Sequence, residues 1–361
     1  MGVIGYRDGL QAIRHYPAYF IGRDDGMAKY AEQDILKLLT YGCNFIMIDA
    51  PRSVGKTYST LKIVIRNCIK NGLEFAYICR TQDEKKNGVM EKAVQKVMRN
   101  EFPGYEYLCD TENMYIVEGD EKRVLAYCLA LSESQKIKKY SYPKCKFMIF
   151  DEYMLEPGGR YVHGDKEPDL LLSIYHTIDR EEDRVICIML GNNTNFYNPY
   201  HMHMAFRIPY KSEGEIYRGN NVVFMRMGRS EELNEDKETC KFLNMIKGTD
   251  YGNFANGGVY GDSDGYFIAE RPASSRLYIV VVYNGNYYGM WYDAATCLMY
   301  IDDKVNPNFK YVYAATDNDV SENAIRSKSG TGIIHDLFLK GRCRFTTPEI
   351  RAKFSPCVPY L

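Results

Sequence analysis

"FIMIDAPRSVGKTYSTLKIVI", residues 45–65, carries an apolar strand into a short turn, then Gly55-Lys56-Thr57, then a helix. A Gly-Lys-Thr at a strand-to-helix junction has a specific chemical use. The backbone N–H groups of the turn and the helix N-terminus face phosphate oxygens. The lysine reaches the β- and γ-phosphates, and the hydroxyl ligates Mg²⁺. The residues of such a loop are Ala50, Pro51, Arg52, Ser53, Val54, Gly55, Lys56 and Thr57. The spacing G-x-x-x-x-G-K-[ST] is kept except at its first position, where Ala50 stands for glycine. A methyl group is tolerable there if φ is negative, which is the expectation for Ala50. Gly-Lys-Thr also arises by chance, so the strand before it and the helix after it carry the reading.

A second element favours a nucleotide site. "KFMIFDEY", residues 146–153, is a continuous apolar strand ending in Asp151-Glu152. In P-loop ATPases an Asp at this strand end holds Mg²⁺. A following Glu polarises the attacking water as general base. An Asp-Glu pair is also common in plain solvated turns, but two motifs in this order, each on its own strand, make coincidence a poor account. The glutamate favours a hydrolase over a small-molecule kinase. The absence of N-K-x-D disfavours GTP. The third apolar run, "RVICIMLGNN" (184–193), leaves its strand at Gly191-Asn192-Asn193, where open α/β sheets bind ligands. Asn192 is therefore a candidate sensor of the γ-phosphate, or an ordinary turn asparagine.

Outward from these strands, the pattern is α/β from Cys43 to about residue 205. Strands are expected at 43–50, 73–80, 146–153 and 184–193, with helices near 26–40, 57–70, 83–100 and 167–178 and a β-rich stretch at 105–130. Continuous apolar strands alternating with helices imply a mostly parallel sheet covered on both faces. Residues 206–260 are polar and glycine-dotted and read as a linker with one helix at 230–247. Three strands follow in 275–302, with Asn284-Gly285 as a type I′ turn. A strand at 310–316 and a helix near 320–340 complete a smaller α+β domain in 261–361.

The chain has 361 residues, enough for two domains, and 26% charged residues with a net charge of −1. It is no general polyanion binder; nucleic-acid contacts must be local. No apolar run approaches the roughly 20 residues that span a bilayer, and "MGVIGYRDGLQ" lacks a signal peptide's apolar centre. Eleven cysteines without a C-x-x-C pair read as free thiols, several in strands, of a cytosolic protein. One local patch is "SQKIKKYSYPKCK" (134–146), where Lys136, Lys139 and Lys144 are candidate DNA contacts, with Tyr140 and Tyr142 interleaved. Arg180 in "HTIDREEDRV" (176–185) stands where ring ATPases place an arginine finger, though a lone arginine is more often a surface charge.

The residues also carry a resemblance. "PRSVGKT", "FDEY", "DREEDRV…CIMLGN", "NPY", "GTDYG", "GDSDGYFIAE" and "YNGNYYGMWYDAATCLMYID" make the chain similar, from about Cys43 onward, to the DNA encapsidation proteins of small podophages of Bacillus and related hosts. The resemblance implies a P-loop, terminase-like ATPase domain at 43–205 behind an N-terminal helical extension (1–42). It also implies a vestigial RNase H-like nuclease domain at the C-terminus. It implies a homomeric ring, typically a pentamer, in the host cytoplasm and transiently on the procapsid portal vertex. That ring drives double-stranded DNA through the portal with ATP and Mg²⁺, usually beside a packaging RNA and with no membrane. Residue by residue, Lys56 and Thr57 match the loop lysine and hydroxyl, Asp151 the metal-associated acid, and Glu152 the catalytic glutamate. Arg180 matches the trans-acting finger and Lys138 a second trans-acting basic residue. The C-terminal strands read independently as RNase H-like, but "RLYIVVVYNG" has no acid, so a two-metal nuclease is disfavoured. Two alternatives stay open: a terminase with an active nuclease, and an ATP-gated nucleic-acid-binding module.

Overall fold

The computed structural model describes residues 32–156, 159–209, 211–219, 221–228, 241–246 and 267–361. Two compact units divide them. The first takes the described residues up to Asn192 together with those of 213–246. The second takes those of 193–212 and 267–361.

In the first unit, nine strands among the described residues form one sheet. They are β1 (Phe45–Ala50), β2 (Glu74–Cys79), β3 (Glu106–Cys109), β4 (Asn113–Glu118), β5 (Glu121–Ala130), β6 (Cys145–Asp151), β7 (Ile186–Asn192), β8 (Ile216–Gly219) and β9 (Val222–Arg226), in spatial order 3-4-5-2-6-7-1-9-8. The run from β5 to β9 is parallel, with antiparallel β3–β4 and β8 at the edges. β1 and β2 are buried at every position, as strands covered on both faces must be. One face packs on α1 (Glu32–Leu39), α2 (Lys56–Asn71) and α4 (Val89–Glu101), through Leu38, Leu61, Val64, Val94 and Val97. Between α2 and α4 lies α3 (Gln82–Lys86), a short helix begun by a Thr81–Glu84 capping box. After β5 comes the single turn α5 (Ser134–Ile137). On the other face α6 (Glu167–Asp179) buries Leu171, Ile174 and Ile178, and Tyr175 meets the Phe45 ring at 4.6 Å.

The expected linker is a correction. Val222–Arg226 is wholly buried and pairs in parallel with β1, so part of 206–260 belongs to the first unit's sheet itself. Five residues of "VVFMR" are too short to stand out in a polar, glycine-dotted stretch. Residues 193–212 in turn join the second unit because Tyr197 is core there. Its ring lies 4.8 Å from Phe338 and 5.2 Å from Phe267, and its hydroxyl is 2.9 Å from Ser355 Oγ. The expected helix at 83–100 is broken into α3 and α4 by Asn87-Gly88. The helix expected at 230–247 is described only as α8 (Lys241–Ile246), following the short α7 (Pro199–Met202); the rest lies outside the described residues. The part of the expected 26–40 helix before Glu32 lies outside them as well.

Among its described residues the second unit holds a five-stranded sheet: β10 (Arg276–Tyr283), β11 (Asn286–Asp293), β12 (Leu298–Asp302), β13 (Val312–Ala314) and β14 (Cys343–Phe345), in order 13-10-11-12-14. Asn284 and Gly285 have φ of 50° and 73°, as the turn between β10 and β11 requires. β13 runs parallel to β10 and β14 parallel to β12. The helices α9 (Lys328–Leu339) and α10 (Pro348–Phe354) supply Phe338 and Phe354, whose rings pack with Phe345 and Tyr288. The helix expected from 320 begins at Lys328, capped by Ser327. No helix of the described residues is long and apolar enough to cross a membrane.

Candidate nucleotide site

The carboxyl ends of β1, β6 and β7 are neighbours. Ala50 pairs with Asn192, and Asp151 with Leu190. The sheet therefore brings the loop lysine, both acids and the candidate sensor to one edge. Ala50 is buried and is not among the residues with positive φ, so its methyl group costs nothing. The positive φ values of the loop fall at Ser53 (65°) and Gly55 (81°), which turn the backbone into α2. Gly55 caps that helix without a side-chain bond, and its first turn carries no acid. The N–H groups there and the positive helix end remain available to an anion.

Lys56 is buried and its Nζ donates to Asn192 Oδ1 at 2.6 Å. Burial lowers its pKa, against the opposing pull of Asp151, Glu152 and Asp49, with Arg52 adding to the lowering. Thr57 Oγ1 donates to Asp151 Oδ2 at 2.8 Å. Burial raises the Asp151 pKa, and the Thr57 bond and Lys56 charge oppose it. One hydroxyl and one carboxylate suit Mg²⁺, which takes one or two protein ligands and completes its shell with water and phosphate. Arg52 is ion-paired with Glu156. Glu152 is exposed with φ of 55°, a left-handed conformation that a non-glycine residue holds only when its surroundings enforce it.

Those surroundings include residues to which sequence reading assigned no role. Arg80, one residue past β2, is buried and donates from Nη2 to the carbonyls of Glu152 (3.2 Å) and Tyr153 (2.9 Å). Its Nε donates to both carboxylate oxygens of Glu167 at 3.0 and 3.1 Å, and Glu167 also accepts from Val162 N. Removing one partner of such a buried pair costs about 3–5 kcal/mol. Tyr153 donates its hydroxyl to the buried Asp49. The ring passes over Gly191, where a Cβ would lie 2.5 Å from Met154 Cε and 2.8 Å from Tyr153 Cε1. The available signals were charges inside apolar runs: Asp49 in "FIMIDA" and Arg80 ending "LEFAYICR".

Arg180 and the lysine segment are not at this edge. Arg180 follows α6 and precedes the amino end of β7, while Lys144 immediately precedes β6. Seven residues of β7 separate the two edges by about 20 Å. Arg180, Lys136, Lys138, Lys139 and Lys144 are all exposed, and Lys136 pairs with Glu133 at 2.7 Å. Of the two interleaved aromatics only Tyr140 is exposed. Tyr142 is buried edge-on against Tyr127 at 5.0 Å, which removes it from the candidate docking patch.

A buried lysine whose pKa is lowered makes a stability prediction. The folded protein releases the Lys56 proton at lower pH than the unfolded chain. Between that lowered value and 10.5 the unfolded chain binds more protons, and this group's contribution to stability rises with pH. Lys56→Met is expected to lack that rise in a calorimetric pH series. At neutral pH it is expected to melt no lower than wild type while ATP turnover falls by at least about 10²-fold.

A Gly-Lys-Thr loop on a mostly parallel sheet, with a strand-end Asp-Glu beside it, is the arrangement of a P-loop ATPase domain. The family model for the podovirus DNA encapsidation protein (Gp16) matches residues 27–354. The chain belongs to that family and is a viral DNA-packaging ATPase. It is 28% identical over 324 residues to the DNA packaging protein of Bacillus phage phi29, covering 87% of this chain and 93% of that protein. It is 26% identical over 321 residues to the DNA packaging protein of Bacillus phage B103, covering 87% and 96%. Among solved structures it is similar to a chain of the phi29 viral genome packaging motor assembly, with a TM-score of 0.54 and 27% identity over 87% of this chain and 94% of that one.

Proposed function

We propose that the protein hydrolyses ATP at the edge formed by β1, β6 and β7, and that a homomeric ring of its subunits uses this to drive double-stranded DNA into a procapsid through the portal. The observation that carries the chemistry is the convergence there of Lys56 with Asn192 (2.6 Å) and Thr57 with Asp151 (2.8 Å). Lys56 and the α2 N-terminus bind and orient the β- and γ-phosphates. Thr57 and Asp151 would hold Mg²⁺, which when bound neutralises charge on those oxygens. Glu152, presented beside the loop by its left-handed backbone, accepts the proton of the water that attacks the γ-phosphorus. Asn192, whose partner is the phosphate-binding ammonium, is placed to report loss of the γ-phosphate.

The ring is supported by topology. Arg180 lies at the opposite edge from its own loop, so its guanidinium serves a γ-phosphate in a neighbouring subunit, with Lys138 as a second candidate. The similarity to a chain of a viral genome packaging motor assembly supports the same reading, and portal and packaging-RNA partners are part of the proposal. For the second unit we propose an RNase H-like domain that binds nucleic acid without cutting it. Its first long strand, β10, which lies between β13 and β11, has no acid. The Asp293 and Asp319 carboxylates accept local bonds from Thr296 and Ser274 and from Thr316 and Gly285. The experiment is ATP turnover with and without procapsid and DNA, followed in Mn²⁺ by a supercoiled-plasmid assay. Stimulated turnover and an intact plasmid are expected. A flat ATPase rate would favour a nucleotide-gated binding module, and metal-dependent nicking would overturn the non-cutting domain.

A further inference from the structure

The turn that carries Arg180 is unusually constrained. Arg180, Glu181 and Asp183 have φ of 56°, 63° and 51°, three left-handed non-glycine residues within four positions. Conformations of this kind each cost of order 1–3 kcal/mol and persist only where neighbours enforce them. Asp179, buried at the end of α6, does part of this. Its carboxylate accepts the N–H groups of Asp183 (3.1 Å), Arg184 (2.8 Å) and Val185 (2.9 Å).

Arg184 does something different, because it joins two segments. Its Nη1 donates to the carbonyl of Cys145 at 2.6 Å, and its Nη2 to the carbonyls of Tyr142 (3.2 Å) and Ile178. Its Nε lies 2.8 Å from Glu182 Oε2. Tyr142 and Cys145 bracket Lys144 and end the segment that holds Lys138 and Lys139. Ile178 lies two residues before Arg180. One planar guanidinium thus ties the Arg180 turn to the end of the lysine segment by bonds to carbonyls of both, a geometry that a lysine's point charge cannot reproduce.

We propose that Arg184 is a positioning residue that locks the Arg180 turn and the 138–145 segment into one rigid element, offered as a unit to the nucleotide edge of a second copy of this chain. The proposal rests on the reading that Arg180 acts in trans. Catalytic groups must be held closely, and misplacement by about 1 Å can cost 10²-fold in rate.

The test uses full-length subunits assembled with procapsid and DNA. Arg184→Ala is expected to lower kcat about 10²-fold with the KM for ATP unchanged, since its own phosphate loop is intact. In an Arg180→Ala background it is expected to add no further loss. Mixing Arg184→Ala with Glu152→Gln subunits, each strongly slowed alone, is expected to raise turnover well above that of either. The Glu152→Gln copies retain a well-placed Arg180 and serve the intact sites of Arg184→Ala neighbours. A defect confined to a subunit's own fold gives no such recovery. If Arg184→Ala does not fold, Arg184→Lys keeps stem and charge and is read the same way. Full kcat in a folded Arg184 variant, while Arg180→Ala abolishes turnover, overturns this proposal alone, as does absence of recovery in the mixture when Arg180→Ala mixed with Glu152→Gln does recover. Full turnover by Arg180→Ala instead overturns the trans reading on which it rests.

Discussion

Glu152→Gln subunits are expected to bind ATP as well as wild type and to hydrolyse it about 10²–10⁴-fold more slowly. The substitution keeps the length and shape of the side chain and removes the proton acceptor. The backbone that presents it is held from elsewhere, by Arg80 bonding the Glu152 and Tyr153 carbonyls and by Asp151 Oδ1 accepting the Glu152 N–H at 3.0 Å. The loop geometry, Lys56 and Thr57 are left as they were. Equilibrium binding of a fluorescent ATP analogue and phosphate release in single turnover separate the two effects. Retained single-turnover hydrolysis would remove Glu152 from the chemistry.

Arg180→Ala is expected to abolish turnover in assembled rings, by about 10³–10⁵-fold if it supplies the finger, without changing ATP binding by the isolated subunit. The reason is topological. Own-site assistance is excluded by the length of β7 between the Arg180 turn and the Asn192 edge, so the arginine acts on a neighbour or not at all. Mixing Arg180→Ala with Glu152→Gln subunits should then restore turnover that neither supports alone, because the intact site of an Arg180→Ala copy is served by the arginine of a Glu152→Gln neighbour. Absence of recovery in that mixture would overturn the trans reading, and full turnover by Arg180→Ala rings would leave the arginine a surface charge.

Much of the site was legible because its parts are tied to strand ends. The apolar runs of β1, β6 and β7 are continuous, so their carboxyl ends and the residues there follow from pattern alone, and parallel pairing brings Lys56, Thr57, Asp151 and Asn192 together. What lies behind them was not legible. Arg80 and Glu167 are 87 positions apart, and only the fold shows that both are buried. Nothing in "HTIDREEDRV" distinguishes Arg180, which is exposed, from Arg184, which caps three carbonyls. Tyr140 and Tyr142 look equivalent in sequence, and burial of one against Tyr127 separates them. The central segment was misread for a related reason. A short strand inside the sheet needs only five buried residues, and β9 pairs with β1 at a sequence distance that no local periodicity reports.

The return of the chain to the first sheet at β8 and β9, after residues 193–212 have joined the second unit, means that the two halves are interleaved rather than strung in series. A genetic crossover or truncation near residue 205 would strand β1 with a bare hydrogen-bonding edge and an apolar flank, inviting aggregation. The halves of this chain cannot be exchanged at a single breakpoint. Viable hybrids would have to inherit the intervening stretch together with the β1 against which it is built.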